Sequence, residues 1–263
     1  MLAKKSLGQH WLRSEHVARL IVKTAEIKSD ETVLEIGPGT GFLTRFLLEK
    51  EGSVIAIEKD DRAIILLQEK FSEEIKSGKL KLIHADILDF DFEALRQQLK
   101  AKSYKVVANI PYYITGQIIR KFLSETKQQP EKMVLLVQDE VARRIVGVSR
   151  AQSRDEIKES LLSISVKVYG NPKYIQKVPA KLFLPIPKVS SAILLIDEIS
   201  KNNFENISEQ KFFEIVKSGF SSKRKMLRNH LKVSSETFAK CNILETSRAE
   251  NLTLENWLCL TRN

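Results

Sequence analysis

Five consecutive residues near the middle of the chain, Asn109-Ile110-Pro111-Tyr112-Tyr113, combine groups that can hold a planar aromatic amine. The side-chain oxygen of Asn109 and the backbone carbonyl of Ile110 can accept both amine hydrogens and favour a pyramidal nitrogen. Pro111 fixes its own φ and stiffens the turn, and Tyr112 can stack on a base. Such a site orients an amine for in-line attack without a general base in the first step. The alternative is a strand that ends in a proline turn and continues into aromatic core residues.

A glycine-rich turn at residues 37–41 lies between a predicted buried strand at residues 33–36 and a predicted helix at residues 42–48. Glycine is needed where φ is positive or where a ligand approaches the backbone, and a helix N-terminus suits a polar or anionic group. A dinucleotide fingerprint is disfavoured, because Gly41 comes one residue early and Phe42 stands where the third glycine is expected. The alternative is an ordinary strand-to-helix turn of another α/β protein.

Two acidic residues stand at the ends of predicted strands. Glu58 closes the strand at residues 53–58 and lies 17 residues beyond Gly41, close to the offset at which a carboxylate reaches a ribose hydroxyl pair. Asp86 closes the next strand and is placed to accept a hydrogen bond from a purine amine. Because the carboxyl ends of parallel strands share one crevice, these residues predict a nucleoside site. The alternative for Glu58 is a solvated acid beside Lys59 and Asp60.

Two further segments carry candidate contacts. The amino-terminal residues Gly8, Gln9, His10 and Trp11 form an unusual combination for a frayed terminus, although packing of the terminus onto the core by Trp11 and its neighbour is an equal alternative. Phe183 lies in a stiff, proline-flanked loop. It is either a second face for a base or a buried hydrophobic residue.

The elements that must position these residues alternate between strands and helices. Five buried strands are predicted at residues 33–36, 53–58, 79–86, 104–108 and 133–138. This alternation predicts a doubly wound, mostly parallel α/β sheet with helices on both faces. Two β-like runs between residues 171 and 196 are expected to add an antiparallel pair. A polar linker at residues 197–209 precedes a helical pattern, so we expect an α/β domain at residues 1–198 and a small all-helical domain at residues 199–263.

The composition is that of a globular protein with a basic surface. The 263 residues are 43% hydrophobic and 29% charged, and no apolar run approaches the roughly 20 residues of a membrane span. A signal-peptide pattern is not seen. Cys241 and Cys259 neither build a disulfide framework nor show metal-ligand spacing, which fits a reducing cytoplasm.

The net charge of +10, from 43 Lys and Arg against 33 Asp and Glu, indicates a polyanionic partner. A basic surface that only contacts solvent is the alternative. The distribution of charge favours a partner, since the cations concentrate in two regions. The basic residues of these regions are Arg143, Arg144, Arg150 and Arg154, and Lys223, Arg224, Lys225 and Arg228.

Seven features follow one another along the chain: the amino-terminal Gly-Gln-His-Trp-Leu run, the turn from Glu35 to Gly41, Glu58, Asp86, the Asn109 motif, the Phe183 loop and the late Lys-Arg-Lys run. In this order they resemble the motifs of the ribosomal RNA adenine dimethyltransferases. The resemblance covers almost the whole chain and is greatest to the KsgA-type branch, which acts on small-subunit rRNA. It implies a class I methyltransferase-like fold. The large-subunit branch, linked to antibiotic resistance, shares the Asn-Ile-Pro-Tyr sequence and is the nearest alternative.

The resemblance also implies the cofactor, S-adenosyl-L-methionine, and a set of site residues without a metal. The cofactor contacts would be His10, Leu12, Gly37, Glu58, Asp86 and Asn109. The residues at the substrate base would be Asn109, Ile110, Tyr112 and Phe183. The RNA contacts expected from charge are Arg143, Arg144, Lys223, Arg224, Lys225 and Arg228.

The implied reaction gives N6,N6-dimethyladenosine at two adjacent adenosines near the 3′ end of small-subunit rRNA. The expected partner is an immature small ribosomal subunit in the cytoplasm. The protein is expected to act as a monomer and not to bind a membrane. Two alternatives from other classes remain at this point: a non-catalytic RNA-binding assembly factor or transcription factor, and an NAD-dependent dehydrogenase.

Overall fold

The structure is a computed structural model that describes residue 4 and residues 7–50, 52–91, 103–147, 158–222 and 224–263. The chain forms two compact units. The first unit consists of Met1–Ala142 and Lys173–Ile199, and the second of Arg143–Pro172 and Ser200–Asn263. The expected domain boundary at residue 198 stays a prediction; the units differ from it by grouping Arg143–Pro172 with the carboxyl-terminal part of the chain.

The strands are β1 Trp11–Leu12, β2 Thr32–Ile36, β3 Ser53–Glu58, β4 Leu80–His84, β5 Tyr104–Asn109, β6 Lys132–Gln138, β7 Asn171–Val178, β8 Phe183–Leu184 and β9 Ser191–Asp197. Seven strands of the described residues form one sheet in the order β4-β3-β2-β5-β6-β9-β7. Neighbours from β4 to β6 are parallel, and β9 is antiparallel to β6. The prediction of a doubly wound, mostly parallel sheet is therefore confirmed.

The helices are α1 Glu15–Ala25, α2 Phe42–Leu48, α3 Asp61–Lys70, α4 Ser72–Lys76, α5 Thr115–Arg120, α6 Asp139–Val146, α7 Leu161–Lys167, α8 Glu209–Phe220, α9 Ser235–Lys240 and α10 Leu254–Arg262. Helix α1 shows why they form: the Ser14 hydroxyl caps it by accepting from the Val17 amide at 3.4 Å. Its apolar side, with Ile21 and Val22, packs into one buried cluster with residues of α2 and the sheet.

The strand order creates a crevice for a ligand. From β2 the chain continues to β3 and β4 on one side of the sheet, and β5 and β6 lie on the other side. The carboxyl ends of β2 and β5 therefore diverge at a topological switch point, where open α/β sheets bind ligands. The register aligns these ends, since Ile36 pairs with Ile57 on one side and with Ala108 on the other.

A second, two-stranded sheet was not predicted from the sequence. In it β1 is antiparallel to β8, with Trp11 opposite Leu184 and Leu12 opposite Phe183. Strands of two residues are too short for an alternating pattern to be recognised. This pairing fixes the amino-terminal segment to the proline-flanked loop.

The second unit is helical in the residues described, apart from the first two residues of β7, as the sequence pattern predicts. Its helices begin at polar caps, with Ser160 at α7, Ser208 at α8, Ser234 at α9 and Thr253 at α10. An aromatic cluster forms part of its core, with ring centroids 5.3 to 6.4 Å apart. The members of the cluster are Tyr169, Phe204, Phe212 and Phe213.

Cys241 and Cys259 form a disulfide bond, which corrects the prediction that these two residues do not build a disulfide framework. Cys241 caps the carboxyl end of α9 and Cys259 lies on α10. The Asn256 side chain of α10 donates to the Cys241 carbonyl at 2.9 Å and holds the two elements together. The separation of 18 residues gave no indication of this contact, because it arises from helix packing.

Candidate active site

One cavity of the first unit opens at the carboxyl ends of the parallel strands. Its lining comes from the amino-terminal segment and from the residues that follow β2, β3, β4 and β5. These lining residues fall at 7–12, 35–40 with 42–43, 57–59, 85–88 and 109–114. Five separate stretches of sequence thus contribute to one crevice, as the strand order predicts.

The glycine-rich turn forms the floor of the cavity. Gly37 has a φ of +64°, and a Cβ built on it meets no atom within 4 Å, so open space lies beside the backbone at this glycine. Gly41 has a φ of +71° and allows close packing instead, because a Cβ at this position would lie 2.4 Å from the Phe71 ring. The two glycines therefore have different functions in the same turn.

Glu58 is buried at the end of β3 and is held by backbone amides. Its Oε2 accepts from the Gly39 amide at 2.9 Å, and its Oε1 accepts from the amides of Lys59 and Asp60 at 2.8 Å each. A carboxylate offers about four acceptor positions. Three amides occupy three of these positions, so one acceptor position remains, on Oε2, for a ribose hydroxyl, while the amides fix the orientation of the carboxylate.

Asp86 lies half-buried beyond β4 and already has a cationic partner. Lys59 Nζ donates to its Oδ2 at 2.5 Å, and the Leu88 amide donates to its Oδ1 at 2.9 Å. Burial raises the pKa of Asp86, but these two partners more than offset the effect, so its pKa lies below the ordinary value. The carboxylate is ionised and can accept from an amine.

Glu35 lies beneath the glycine-rich turn and is 1% exposed. Its Oε2 has no hydrogen-bond partner in the described residues. Burial, together with the negative charge of Glu58, raises the pKa of Glu35 to about 8, against a smaller opposite effect of Thr44. Glu35 is therefore mostly protonated at neutral pH, an uncommon state for a carboxyl group.

The residues of the Asn109 motif also line the cavity. Asn109 ends β5, and its Nδ2 donates to the His10 carbonyl at 2.9 Å. The Tyr112 hydroxyl forms a hydrogen bond of 2.8 Å with Ser191 Oγ, and burial raises its pKa. The His10 ring stacks on Tyr112 with centroids 5.8 Å apart, and its Nδ1 lies 2.7 Å from the Pro185 carbonyl oxygen.

The structure brings most of the predicted site residues together. The predicted residues that line the cavity are His10, Leu12, Gly37, Glu58, Asp86, Asn109, Ile110 and Tyr112. Phe183 does not line it. It is 2% exposed and belongs to the buried cluster, which fits the alternative of a hydrophobic core residue. A stacking function of Phe183 stays a prediction.

The predicted RNA-binding residues lie elsewhere. Arg143 and Arg144 belong to α6, and Arg144 is exposed. Arg224 and Lys225 are exposed in the second unit, while Arg228 pairs with Glu245 at 2.8 Å. The predicted contacts at Lys223, and the basic residues Arg150 and Arg154, lie outside the described residues.

Several residues at the site were missed by the sequence analysis. Lys59 pairs with Asp86, and the buried Asp60 accepts from Gln9 Nε2 at 3.0 Å and from Arg62. The only available signal for Asp60 was its position immediately before a helix, where Asp is a favoured cap. No local pattern linked Gln9 to a residue 51 positions away.

Among the described residues there is neither a candidate metal-binding site nor a membrane-spanning helix. No group of three or more His, Cys, Asp or Glu side chains among them is arranged to hold a metal ion. Their helices are also too short or too polar to cross a bilayer.

Comparison with protein families gives a match over nearly the whole chain. The family described as ribosomal RNA adenine dimethylase matches residues 1–262. A protein of Dehalococcoides mccartyi named ribosomal RNA small subunit methyltransferase A is 41% identical, with coverage of 98% of this chain and 88% of the relative. A protein of the same name from Clostridium botulinum is 38% identical, with coverage of 96% and 90%.

Solved structures give the same result for the fold. The 23S rRNA methyltransferase ErmE superposes with a TM-score of 0.77 at 26% identity, covering 95% of this chain and 98% of the other. A dimethyladenosine transferase from Plasmodium falciparum has the same TM-score and identity, with coverage of 95% and 96%. These similarities extend over both units of the chain.

Proposed function

The chain belongs to the ribosomal RNA adenine dimethylase family, and we propose that it methylates N6 of two adjacent adenosines near the 3′ end of small-subunit rRNA, giving N6,N6-dimethyladenosine. The methyl donor is S-adenosyl-L-methionine. The observation that carries the proposal is that Gly37, Glu58, Asp86 and Asn109 line one cavity at the switch point of the sheet. Relatives about 40% identical over nearly the full chain carry the small-subunit name, which supports this substrate over large-subunit rRNA.

The residues of the cavity fit the cofactor. Glu58 has one acceptor position left, on Oε2, for a ribose hydroxyl, and Asp86 is an ionised acceptor for the adenine amine. Gly37 leaves open space beside the backbone, and His10 and Leu12 form the wall next to it. The bound cofactor supplies an electrophilic methyl group on a cationic sulfur.

The chain's own groups prepare the acceptor nitrogen. The lone pair of an adenine amine is delocalised into the ring, so the amine is a poor nucleophile. Asn109 Oδ1 and the Ile110 carbonyl would accept its two hydrogens and favour a pyramidal nitrogen with an available lone pair. Tyr112 packs against the base. Methyl transfer would form a C–N bond as the C–S bond breaks, with S-adenosylhomocysteine as the leaving group. The cationic nitrogen would then lose its proton to water, so no residue needs to act as a base first.

The RNA is held by positive charge. Arg144, Arg224 and Lys225 are exposed, and the net charge is +10. Neutralisation of several phosphates releases counterions, so RNA affinity should fall steeply with salt. The proposal includes an immature small subunit as the partner, action as a monomer and a cytoplasmic location, where ribosomes are assembled.

The test uses purified protein, isotopically labelled methyl donor and small subunits from cells that lack this modification. Labelled rRNA is digested, and the modified nucleoside and its position are identified by mass spectrometry. Large-subunit rRNA and free adenosine serve as parallel substrates. We expect dimethyladenosine at two neighbouring positions of the small-subunit rRNA only. Label in large-subunit rRNA would favour the antibiotic-resistance activity, and RNA binding without label would favour an assembly factor.

A further inference from the structure

The side-chain amide of Asn109 is oriented by a residue 99 positions earlier in the chain. A carbonyl oxygen can only accept hydrogen bonds. The Asn109 atom that lies 2.9 Å from the His10 carbonyl oxygen must therefore be the donor Nδ2. With Nδ2 held in this way, Oδ1 is the end that remains for a substrate amine. A reversed amide would place Oδ1 against the His10 carbonyl, so that two acceptors face each other, and would present the Nδ2 donors to the substrate amine.

The His10 carbonyl is in turn held by its own side chain. The ring nitrogen Nδ1 lies 2.7 Å from the Pro185 carbonyl oxygen, which can only accept, so Nδ1 carries a hydrogen and donates. The ring also stacks on Tyr112, with an interplanar angle of 20°. Next in the chain, Trp11 and Leu12 pair with Leu184 and Phe183, which precede Pro185.

The segment before His10 is fixed independently. Gln9 Nε2 donates to the buried Asp60 carboxylate at 3.0 Å, and the Asp60 carboxylate is itself held by Arg62. The side chain of Tyr113 lies against Gly8, where a Cβ would come within 3.2 Å of the ring. His10 therefore sits between two anchored neighbours, and its carbonyl has a defined position.

We propose that His10 is a positioning residue for methyl transfer: the hydrogen bond from its Nδ1 to the Pro185 carbonyl holds its backbone carbonyl where that carbonyl orients the Asn109 amide. The inference rests on the proposed function, because it assigns Asn109 Oδ1 to the substrate amine. It goes beyond a cofactor contact of His10. A misplaced acceptor lowers the rate of the chemical step even when both ligands bind.

Three substitutions at one position separate the hydrogen bond from the ring. His10→Asn keeps a donor near the position of Nδ1 and loses the ring, whereas His10→Phe keeps the stacking ring and loses the donor. His10→Ala loses both. Single-turnover methyl transfer is measured at saturating cofactor and rRNA, with the cofactor dissociation constant from calorimetry and the melting temperature as controls for binding and folding.

We expect His10→Phe and His10→Ala to reduce the single-turnover rate by about tenfold or more, and His10→Asn to stay within about threefold of the wild type. Cofactor affinity should change less than the rate in all three variants. Equal rates of His10→Phe and the wild type would overturn the inference. So would an equal loss in His10→Asn and His10→Phe, or a loss that disappears at higher cofactor concentration.

A second measurement does not depend on activity. The side-chain amide of Asn109 is assigned by nuclear magnetic resonance from its disappearance in Asn109→Asp, and its hydrogen exchange with water is compared among the variants. Exchange should be faster in His10→Phe and unchanged in His10→Asn. If the wild type fails to methylate rRNA, the proposed function fails, and this exchange pattern still decides whether His10 orients Asn109.

Discussion

Lys59 Nζ lies 2.5 Å from Asp86 Oδ2, so the carboxylate assigned to the adenine amine of the cofactor is already bound by a cation of the protein. The side chain of Lys59 is 59% exposed, whereas that of Asp86 is 22% exposed. An adenine amine would therefore share or replace a partner whose side chain is largely exposed, so that solvent screens its charge.

We expect Lys59→Met to bind S-adenosyl-L-methionine more tightly than the wild type, by about two- to fivefold, which is the range for loss of an exposed competing ion pair. Calorimetry at constant ionic strength measures the dissociation constant. Lys59→Arg, which keeps the charge, serves as the control and should bind like the wild type. Weaker binding by Lys59→Met would show that the lysine contacts the cofactor favourably.

Substitution of Asn109 should remove methyl transfer and leave RNA binding intact. Asn109→Ala deletes the proposed acceptor of the substrate amine, and loss of one such group costs about 10²- to 10³-fold in rate. Rapid-quench measurement of labelled methyl transfer gives the rate, and a filter-binding titration gives the RNA affinity. Asn206→Ala, at an exposed position of the second unit, is the matched control. A rate for Asn109→Ala close to that of the control would exclude Asn109 from the chemistry.

The pKa of Glu35 makes the stability of the protein depend on pH. In the unfolded chain this carboxyl ionises near its ordinary value of 4.5, but in the folded protein its pKa is about 8. Between these values the unfolded state releases a proton that the folded state keeps. The contribution of Glu35 to stability is thus complete below pH 4.5 and decreases as the pH rises to about 8, by about 1.4 kcal/mol per pH unit.

Glu35→Gln removes this dependence. The stability of the variant relative to the wild type should increase from pH 5.5 to pH 8.5, measured by urea unfolding at both values. Glu236→Gln, an exposed position on α9, is the control and should show a nearly constant difference. A constant difference for Glu35→Gln would mean that Glu35 is ionised in the folded protein.

Local patterns were sufficient for the fold and for the location of the crevice. Buried parallel strands read as continuous apolar runs, and a polar residue at the end of such a run marks the edge of the sheet. The ends of neighbouring parallel strands meet at one edge, so Glu58, Asp86 and Asn109 could be assigned to one site from the sequence.

Contacts between distant segments could not be predicted. The donation from Asn109 to His10 and the pairing of Trp11 with Leu184 join residues that are 99 and 173 positions apart. Neither pair leaves a periodic signal, because each involves one backbone group or a strand of two residues. Phe183 shows the same limit: its hydrophobic character fits both a base contact and the core, and only the packing places it in the core.

The disulfide between Cys241 and Cys259 allows a last prediction about stability. It closes a loop of 18 residues, for which restriction of the unfolded chain is worth about 3 kcal/mol. Reductant should therefore lower the melting temperature of the wild type and leave the double variant Cys241→Ser, Cys259→Ser unchanged. Alkylation of the denatured, unreduced protein followed by mass spectrometry counts the free thiols and tests the bond itself. If reductant does not alter the wild-type melting temperature although the bond is present, the packing of α9 against α10 already restricts this loop, and the bond adds little.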